Sequence, residues 1–392
     1  MTSNSGVSIV PVAGRSGWKA FHDLPHSIYR DDPNWVAPLR LERKFHFDPA
    51  HNPYFKHAEA AFWLAYRGDA PVGRISAQID QLHLDRYQDA TGHFGSLEAV
   101  DNPDVFAALL DAAETWLLQK GMRRAAGPMT FSLWQEAGLL VDGFDSPPAV
   151  LMGHARPYYQ TRIAARGYEK AQDLLAYDYR HATAMVPGMA RIVERTRANP
   201  RFRFRNIRMD KQHFASEIAL ILDILNDAWS TNWGFIPMTQ AEIDDLAGIL
   251  RLLLPPEAVV IGDYDGEPVA FNLTLPNLNE AIRDLRGRLF PLGAAKLLWR
   301  LKVSGIRTAR MAMMGVRRKL QNSTAGAGLA LTIIQLTRES QFTRNVTGAE
   351  LSWVLDSNER LKHLLQLIDA TVYKRYRIYQ RDLATEGSAR GE

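Results

Sequence analysis

Residues 311–328 set four kinds of side chain in succession: the apolar run Met311-Ala-Met-Met-Gly-Val316, the cations Arg317-Arg-Lys319, the polar turn Gln321-Asn-Ser-Thr324, and Ala325-Gly-Ala-Gly328. An apolar strand turning into a helix leaves backbone N–H groups pointing out of the helix start, where the helix dipole adds positive potential. A phosphate or pyrophosphate suits such a turn, and glycine lets it approach the backbone closely. The candidate contacts are Met314, Val316, Arg317, Arg318, Gln321, Asn322, Ser323, Thr324, Ala325, Gly326, Ala327 and Gly328, with the helix opening at about Gly328. The same glycines would also serve a helix packed tightly on a strand, so the motif leaves two uses open.

The elements that would position this turn occur twice along the chain. Phe62-Trp-Leu-Ala-Tyr66 and Val72 to Ile79 are β-prone runs joined by Arg67-Gly-Asp-Ala-Pro71, while Val259 to Tyr264 and Pro268 to Leu275 flank Asp265-Gly266-Glu267. Both read as hairpins, the second closed by an Asp-Gly pair that accepts positive φ. Phe94 to Val100 and a helix over about 104–120, with Val105, Leu109, Ala113 and Leu117 on one face, follow the first hairpin. Ala309 to Val316 and a helix bearing Leu329, Ile333 and Leu336 follow the second, past an insertion at about 281–308. Between the halves, Arg201, Arg203 and Arg205 alternate with Phe202 and Phe204 as in a strand with one wet face, and His213 to Trp229 is amphipathic and helical. The repeated order implies two similar domains, residues 1–185 and 186–392.

At 392 residues, with 46% apolar and 23% charged residues, the composition is that of an ordinary soluble globular chain of more than one domain. The absence of cysteine excludes disulfides, thiolate nucleophiles and sulfur-ligated zinc, and histidine spacing suits no common metal site, so none is expected. With neither a signal peptide nor a membrane-spanning run, a cytoplasmic location is expected. Net charge is only +4, but residues 281–310 hold Arg283, Arg286, Arg288, Lys296, Arg300, Lys302, Arg307 and Arg310 against Asp284 alone. Such a segment meets an anionic partner or forms a solvated face. Within it, Leu289 to Lys302 combines an apolar stripe, Trp299 and flanking cations, the composition of a helix on an anionic bilayer; a helix packed on the sheet is the other reading.

The hairpin, the strand and the Gly326/Gly328 turn together resemble the GNAT superfamily of acyl-CoA-dependent N-acyltransferases, across nearly the whole chain as two tandem folds. The resemblance implies an α/β (α+β) fold in which each half is a mixed, mostly antiparallel twisted sheet flanked by helices. It also implies acyl-CoA as co-substrate and direct attack by an amine in a ternary complex. The superfamily's loop reads Arg/Gln-x-x-Gly-x-Gly/Ala; Ser323 stands where Arg or Gln is expected. The first half carries the acidic turn Gly95-Ser-Leu-Glu-Ala-Val-Asp-Asn-Pro103 instead, so its role is expected to be structural. Ala349 to Leu355 looks like the fifth strand, making Asn358 a cofactor-side candidate, and Tyr373 lies where members carry a tyrosine that protonates the departing thiolate.

Amine acylation needs a neutral nitrogen, and a carboxylate that takes its proton is useful. Glu350 is the best-placed acid of the second half, although its alternation with Ser352 and Val354 also fits a solvated strand face. Glu136 and Asp142 are rivals in the long polar-aromatic segment Gly127 to Pro148. Trp229, Asn232, Trp233 and Phe235 are expected to line the acceptor, with Asp142 and Asn272 as further substrate contacts. Gly127 to Pro148, Tyr158-Tyr159 with Gly167-Tyr168, and Trp229 to Pro237 resemble a narrower group that includes bacterial ceramide synthases, which implies transfer of a fatty acyl group to the amine of a sphingoid base. Two other readings stand beside it: a Fem-like aminoacyl-tRNA-dependent transferase, and a non-catalytic acyl-CoA-sensing module.

Overall fold

The computed structural model describes residues 6–180, 185–340 and 343–383. They form two compact units: Met1–Leu174 with Ile282–Leu289 and Lys374–Glu392, and Leu175–Ala281 with Phe290–Tyr373. The last strand of the chain therefore belongs mainly to the first unit, and the strand that ends the first half runs on into the second.

In the first unit, β1 (Val7–Pro11), β2 (Ala58–Arg67), β3 (Ala70–Asp80) and β4 (Thr91–Ala99) pair antiparallel in sequence order, and β4 pairs parallel with β5 (Arg124–Gly127). Residues 379–382 then pair antiparallel with β5. Two short strands, β6 (Met129–Thr130) and β7 (Glu136–Ala137), make a hairpin, and β8 (Leu139–Asp142) pairs with residues 375–377. The helices are α1 (Gly14–Ile28), α2 (Arg40–His46), α3 (Gln81–Tyr87), α4 (Pro103–Gln119) and α5 (Tyr158–Ala164). Asn102 caps α4, accepting from the N–H groups of Asp104 and Val105, with Pro103 preset at the first turn. The core at one side of the sheet joins Phe21, Leu24, Phe47, Tyr54, Leu64 and Phe131.

β9 (Glu169–Arg180) leads into the second unit, which comprises α6 (Pro187–Ala198), β10 (Phe202–Asn206), α7 (Phe214–Trp229), α8 (Gln240–Leu253), β11 (Val259–Tyr264), β12 (Glu267–Pro276), α9 (Leu278–Ile282), α10 (Gly293–Trp299), β13 (Thr308–Val316), α11 (Arg318–Gln321), α12 (Thr324–Glu339), β14 (Gly348–Leu355), α13 (Glu359–Leu367) and the start of β15 (Thr371–Asp382). β10 to β13 are antiparallel neighbours, and β13 pairs parallel with β14. Asp265 and Gly266 both take positive φ, 54° and 81°, and close the β11–β12 hairpin as their residue types require.

The two faces of this sheet carry different helices. Met311 and Leu351 pack with Met189 and Val193 of α6 and Leu331 of α12, while Val260, Val269, Leu329 and Ile333 form a second cluster against α12. Leu273 and Met313 point to the opposite face, where α7 and α8 lie. A bulge in β13 between the pairs Leu273↔Met313 and Thr274↔Met311 interrupts the alternation and brings Arg310 to the same face as Met313.

Candidate active site

The parallel pair β13–β14 runs only from Thr308↔Gly348 to Met311↔Leu351. Beyond Met311 the ladder ends, which among the described residues leaves backbone groups of β13 without a strand partner on that side. The bulge of β13 sits at the same point. Glu350 stands on β14 at the mouth of the opening, opposite Arg310.

Glu350 and Ser352 are buried, so this face of β14 is interior rather than solvated, while Val354 is buried in the cluster that also holds Leu351. The reason is a polar group that satisfies the carboxylate from several sides. The Tyr373 hydroxyl donates to Oε2, Ser352 Oγ donates to Oε1, and Arg310 Nε lies 3.6 Å from Oε1. Arg310, itself only 3% exposed, donates to Ser352 Oγ at 2.9 Å and stacks over the Trp353 ring, 5.1 Å from its centroid. A buried carboxylate with a buried counter-charge and two hydroxyl donors is an arrangement in which every charge is compensated. Two of the three acid–base candidates, Glu350 and Tyr373, thus meet directly. Arg310, in the sequence one cation among many, is their partner.

Glu136, the third, belongs to the first unit and is ion-paired with Arg43 of α2. Burial pushes its carboxyl up, but Arg43, with His46 and Arg74, outweighs this and holds it below its ordinary value. Its proton-accepting capacity is taken up by a structural cation. Asp142 is exposed on β8, its carboxylate accepting from the Gly143 N–H at 3.0 Å.

At the phosphate turn, helix α12 begins at Thr324, so Gly326 and Gly328 lie inside its first turns rather than ahead of them. Ser323 is its N-cap: the hydroxyl accepts from the Gly326 N–H at 3.0 Å. Of the N–H groups at the first turn, those of Thr324 and Ala325 have no acceptor within the helix. Both glycines have packing reasons to be glycine. A Cβ on Gly326 would lie 2.1 Å from the Leu320 carbonyl oxygen, and one on Gly328 would lie 2.4 Å from Thr196 Oγ1 on α6.

The other turn residues are largely bound within the unit. Arg317 pairs with Asp223 and donates to the Pro268 carbonyl at 3.1 Å; Lys319 pairs with Glu267. Gln321 donates to the carbonyls of Val316 (2.9 Å) and Ala228 (3.1 Å), tying the turn to the end of α7. Val316 packs against the Val260–Leu329 cluster, and Ala325 and Ala327 are half-buried. Arg318 and Asn322 are exposed, and Arg360 of α13 donates to Asn322 at 2.9 Å. Arg360 is a cation beside the turn that no local pattern around residues 311–328 could reveal. Asn358 N-caps α13, accepting from the Leu361 N–H at 3.1 Å. Two helix-start N–H groups and the exposed cations Arg318 and Arg360 lie on and around this turn, a set of donors whose chemistry suits a phosphate.

The aromatic segment after α7 divides. Trp229 donates its indole N–H to the Met314 carbonyl at 2.9 Å, Phe235 is buried, and Asn232 and Trp233 are half-buried. Asn272 is fully buried on the α12 face, donating to Thr337 Oγ1 at 2.8 Å while its carbonyl accepts from the Val260 N–H at 3.2 Å. With its amide spent in the core, it is a tie between sheet and helix and no substrate contact.

In the first unit the corresponding opening between β4 and β5, paired only from Thr91↔Arg124 to His93↔Ala126, is filled by the chain itself. Ser96 N–H donates to Thr130 Oγ1 at 2.9 Å, Gln78 donates to the Met129 carbonyl, and a Cβ on Gly95 would meet the Met129 oxygen at 2.3 Å. Beside it, the Glu98 carboxylate accepts from Tyr29 and Tyr159 at 2.7 Å each; burial raises its carboxyl despite the nearby Arg74.

No protein-family model matches the chain. The chain is 43% identical over 366 residues to Protein YghO of Escherichia coli K12, spanning 93% of each chain. It is 42% identical over 385 residues to the bacterial ceramide synthase of Caulobacter vibrioides, spanning 97% of this chain and 99% of the other. The chain belongs to the family of the bacterial ceramide synthase. Solved structures give the fold of this family member: a tandem GNAT protein from the clavulanic acid biosynthesis pathway superposes with a TM-score of 0.56 at 11% identity over 97% of this chain and 99% of its own. A GCN5-related N-acetyltransferase from Sphaerobacter thermophilus gives 0.53 at 10% identity, covering 97% of each. Among the described residues, no helix is long and apolar enough to cross a membrane.

Proposed function

We propose that this family member transfers a fatty acyl group from acyl-CoA to the primary amine of a long-chain, sphingoid-type base. The observation that carries the proposal is the Glu350–Tyr373 pair, buried with Arg310 and Ser352 where β13 and β14 part. The amine nitrogen attacks the thioester carbonyl carbon; the C–N bond forms and the C–S bond breaks. Glu350 takes the proton the nitrogen must lose, the Tyr373 hydroxyl gives its proton to the departing thiolate, and the proton on Glu350 restores the phenol along their hydrogen bond. Cysteine is absent from the chain, consistent with direct transfer in a ternary complex rather than through a protein thioester. The CoA phosphates are assigned to the Thr324 and Ala325 N–H groups with Arg318 and Arg360, and Asn358 to the cofactor side.

A lipid acceptor is supported by the second unit's surface. Phe290, Leu292 and Val303 are 75%, 76% and 70% exposed, and Leu298 and Trp299 are more than half exposed. Lys296, Lys302 and Arg307 are exposed among them. Apolar side chains ringed by cations are what an anionic bilayer surface takes up, and the part of segment 285–302 that belongs to the second unit, from Phe290 on, is assigned to that contact. The test is incubation of the full chain with palmitoyl-CoA and sphinganine. The N-acyl product and an equal amount of free CoA thiol are expected; free thiol without amide, or neither, would overturn the assignment of the acceptor.

A further inference from the structure

The second unit contains an apolar pocket between α7, α8 and the sheet, and among the described residues its lining is aliphatic, aromatic or thioether throughout. Small-molecule sites ordinarily carry a few polar groups to orient a head. A pocket without any suits a hydrocarbon chain whose polar end lies elsewhere.

Register places that end. The pocket floor is the ladder row Val259↔Leu273↔Met313, and its walls include Phe214, Ile218 and Ile221 of α7 with Ile243 and Leu246 of α8. Met313 follows the bulge of β13, next to the point where β13 leaves β14, and it shares a sheet face with Arg310, hence with Glu350. The phosphate turn lies at the other end of the same strand, beyond Val316, tied to the Trp229 end of α7 by Gln321 and Arg318. Pocket-lining residues occupy the first half of α7, away from that end. A donor anchored by its phosphates beyond Val316 and laid back along β13 brings its thioester to the bulge, on the face of the sheet that carries the pocket.

The geometry points to this pocket as the site of the acyl chain of the donor, and hence as the part of the protein that sets acyl-chain length. The inference rests on the proposed use of acyl-CoA, but its test does not require turnover. Binding of CoA, acetyl-CoA, octanoyl-CoA, dodecanoyl-CoA and palmitoyl-CoA is measured by calorimetry, below micelle-forming concentrations, for the full chain and for Ile221→Trp and Leu246→Trp. The two variants fill the pocket from different helices, and circular dichroism establishes that each is folded. In the unaltered protein affinity rises with chain length, at most about fourfold per methylene, the equivalent of about 0.8 kcal/mol each. In a folded variant the rise stops at a shorter chain while acetyl-CoA affinity stays within twofold. A flat dependence on chain length in the unaltered protein overturns the inference even if amide is formed. A variant that leaves the acyl profile intact but shifts preference among sphingoid bases of different length also overturns it, and gives the pocket to the acceptor. Graded acyl-CoA binding without amide formation would uphold the pocket and refute only the proposed acceptor chemistry.

Discussion

Replacing Gly328 by alanine separates the two uses open to the glycines of α12. A Cβ there would lie 2.4 Å from Thr196 Oγ1 and 3.5 Å from Thr196 Cβ and Cγ2. The threonine is not free to turn aside, because its hydroxyl donates to the Ile192 carbonyl at 2.8 Å. Overpacking of this kind costs about 1–3 kcal/mol, rotation of the threonine would give up a hydrogen bond of about 0.5–1.5 kcal/mol, and removing a helical glycine returns about 1 kcal/mol. The net loss is about 1–2 kcal/mol, or about 2–8 °C in Tm for a domain of this size. The companion variant Gly328→Ala with Thr196→Ala removes the offending oxygen, so its Tm should equal or exceed that of Thr196→Ala alone. Thermal melts and CoA calorimetry on the same samples decide the matter. Unchanged Tm for Gly328→Ala together with a tenfold or greater loss of CoA affinity would refute the packing explanation and return the glycine to the ligand.

Other expectations concern charge and surface. Arg310→Ala leaves the buried Glu350 carboxylate without its cation and should cost about 3–5 kcal/mol, read as a lowered urea midpoint; a change below about 1 kcal/mol would mean that Glu350 does not need the pair. In the first unit, burial, aided by Arg74, Arg43 and His83 respectively, lowers His22 to about 4, His46 to about 3 and His93 to about 3 from 6.5. Their neutral forms stabilise the fold fully above pH 6.5. Below it the unfolded chain takes up protons that the folded one refuses, so stability should fall toward pH 4 by up to about 1.4 kcal/mol per pH unit for each group. Equal urea midpoints at pH 7.5 and 5.0 would contradict this. Phe290→Ser with Leu298→Ser and Trp299→Ser should abolish flotation with anionic liposomes and leave Tm nearly unchanged, since all three side chains are exposed; undiminished flotation removes this segment from the membrane contact.

Local signals in the sequence carry the elements well. Asp265-Gly266 marks its hairpin, and the apolar face of α4 and its Asn-Pro start mark a helix, whereas alternation misleads at β14, where Glu350, Leu351 and Ser352 are buried in succession. Glu350 and Tyr373 are recognisable as acid–base residue types, but their pairing joins positions 23 apart and follows from strand placement, which periodicity does not encode. Arg310 is hidden for a related reason: in a run of surface cations nothing distinguishes the one whose strand position turns it inward. The same holds for Asn272, a polar residue on a strand whose partner Thr337 is 65 positions away. The last strand joins the first unit by pairing with β5, a long-range choice with no local trace. The apolar pocket is likewise silent in sequence, since a helix stripe lining a cavity reads the same as one filling a core.

The central claim is that Glu350 and Tyr373 carry out the proton transfers of amide formation. The most direct test is the single-turnover rate of amide formation from palmitoyl-CoA and sphinganine, followed by mass spectrometry, for the unaltered protein, Glu350→Gln and Tyr373→Phe. The account predicts a loss of about 10²–10⁴-fold for Glu350→Gln and a clear loss for Tyr373→Phe, with palmitoyl-CoA affinity within twofold of the unaltered protein in both. A Glu350→Gln protein that forms amide within threefold of the normal rate would contradict it.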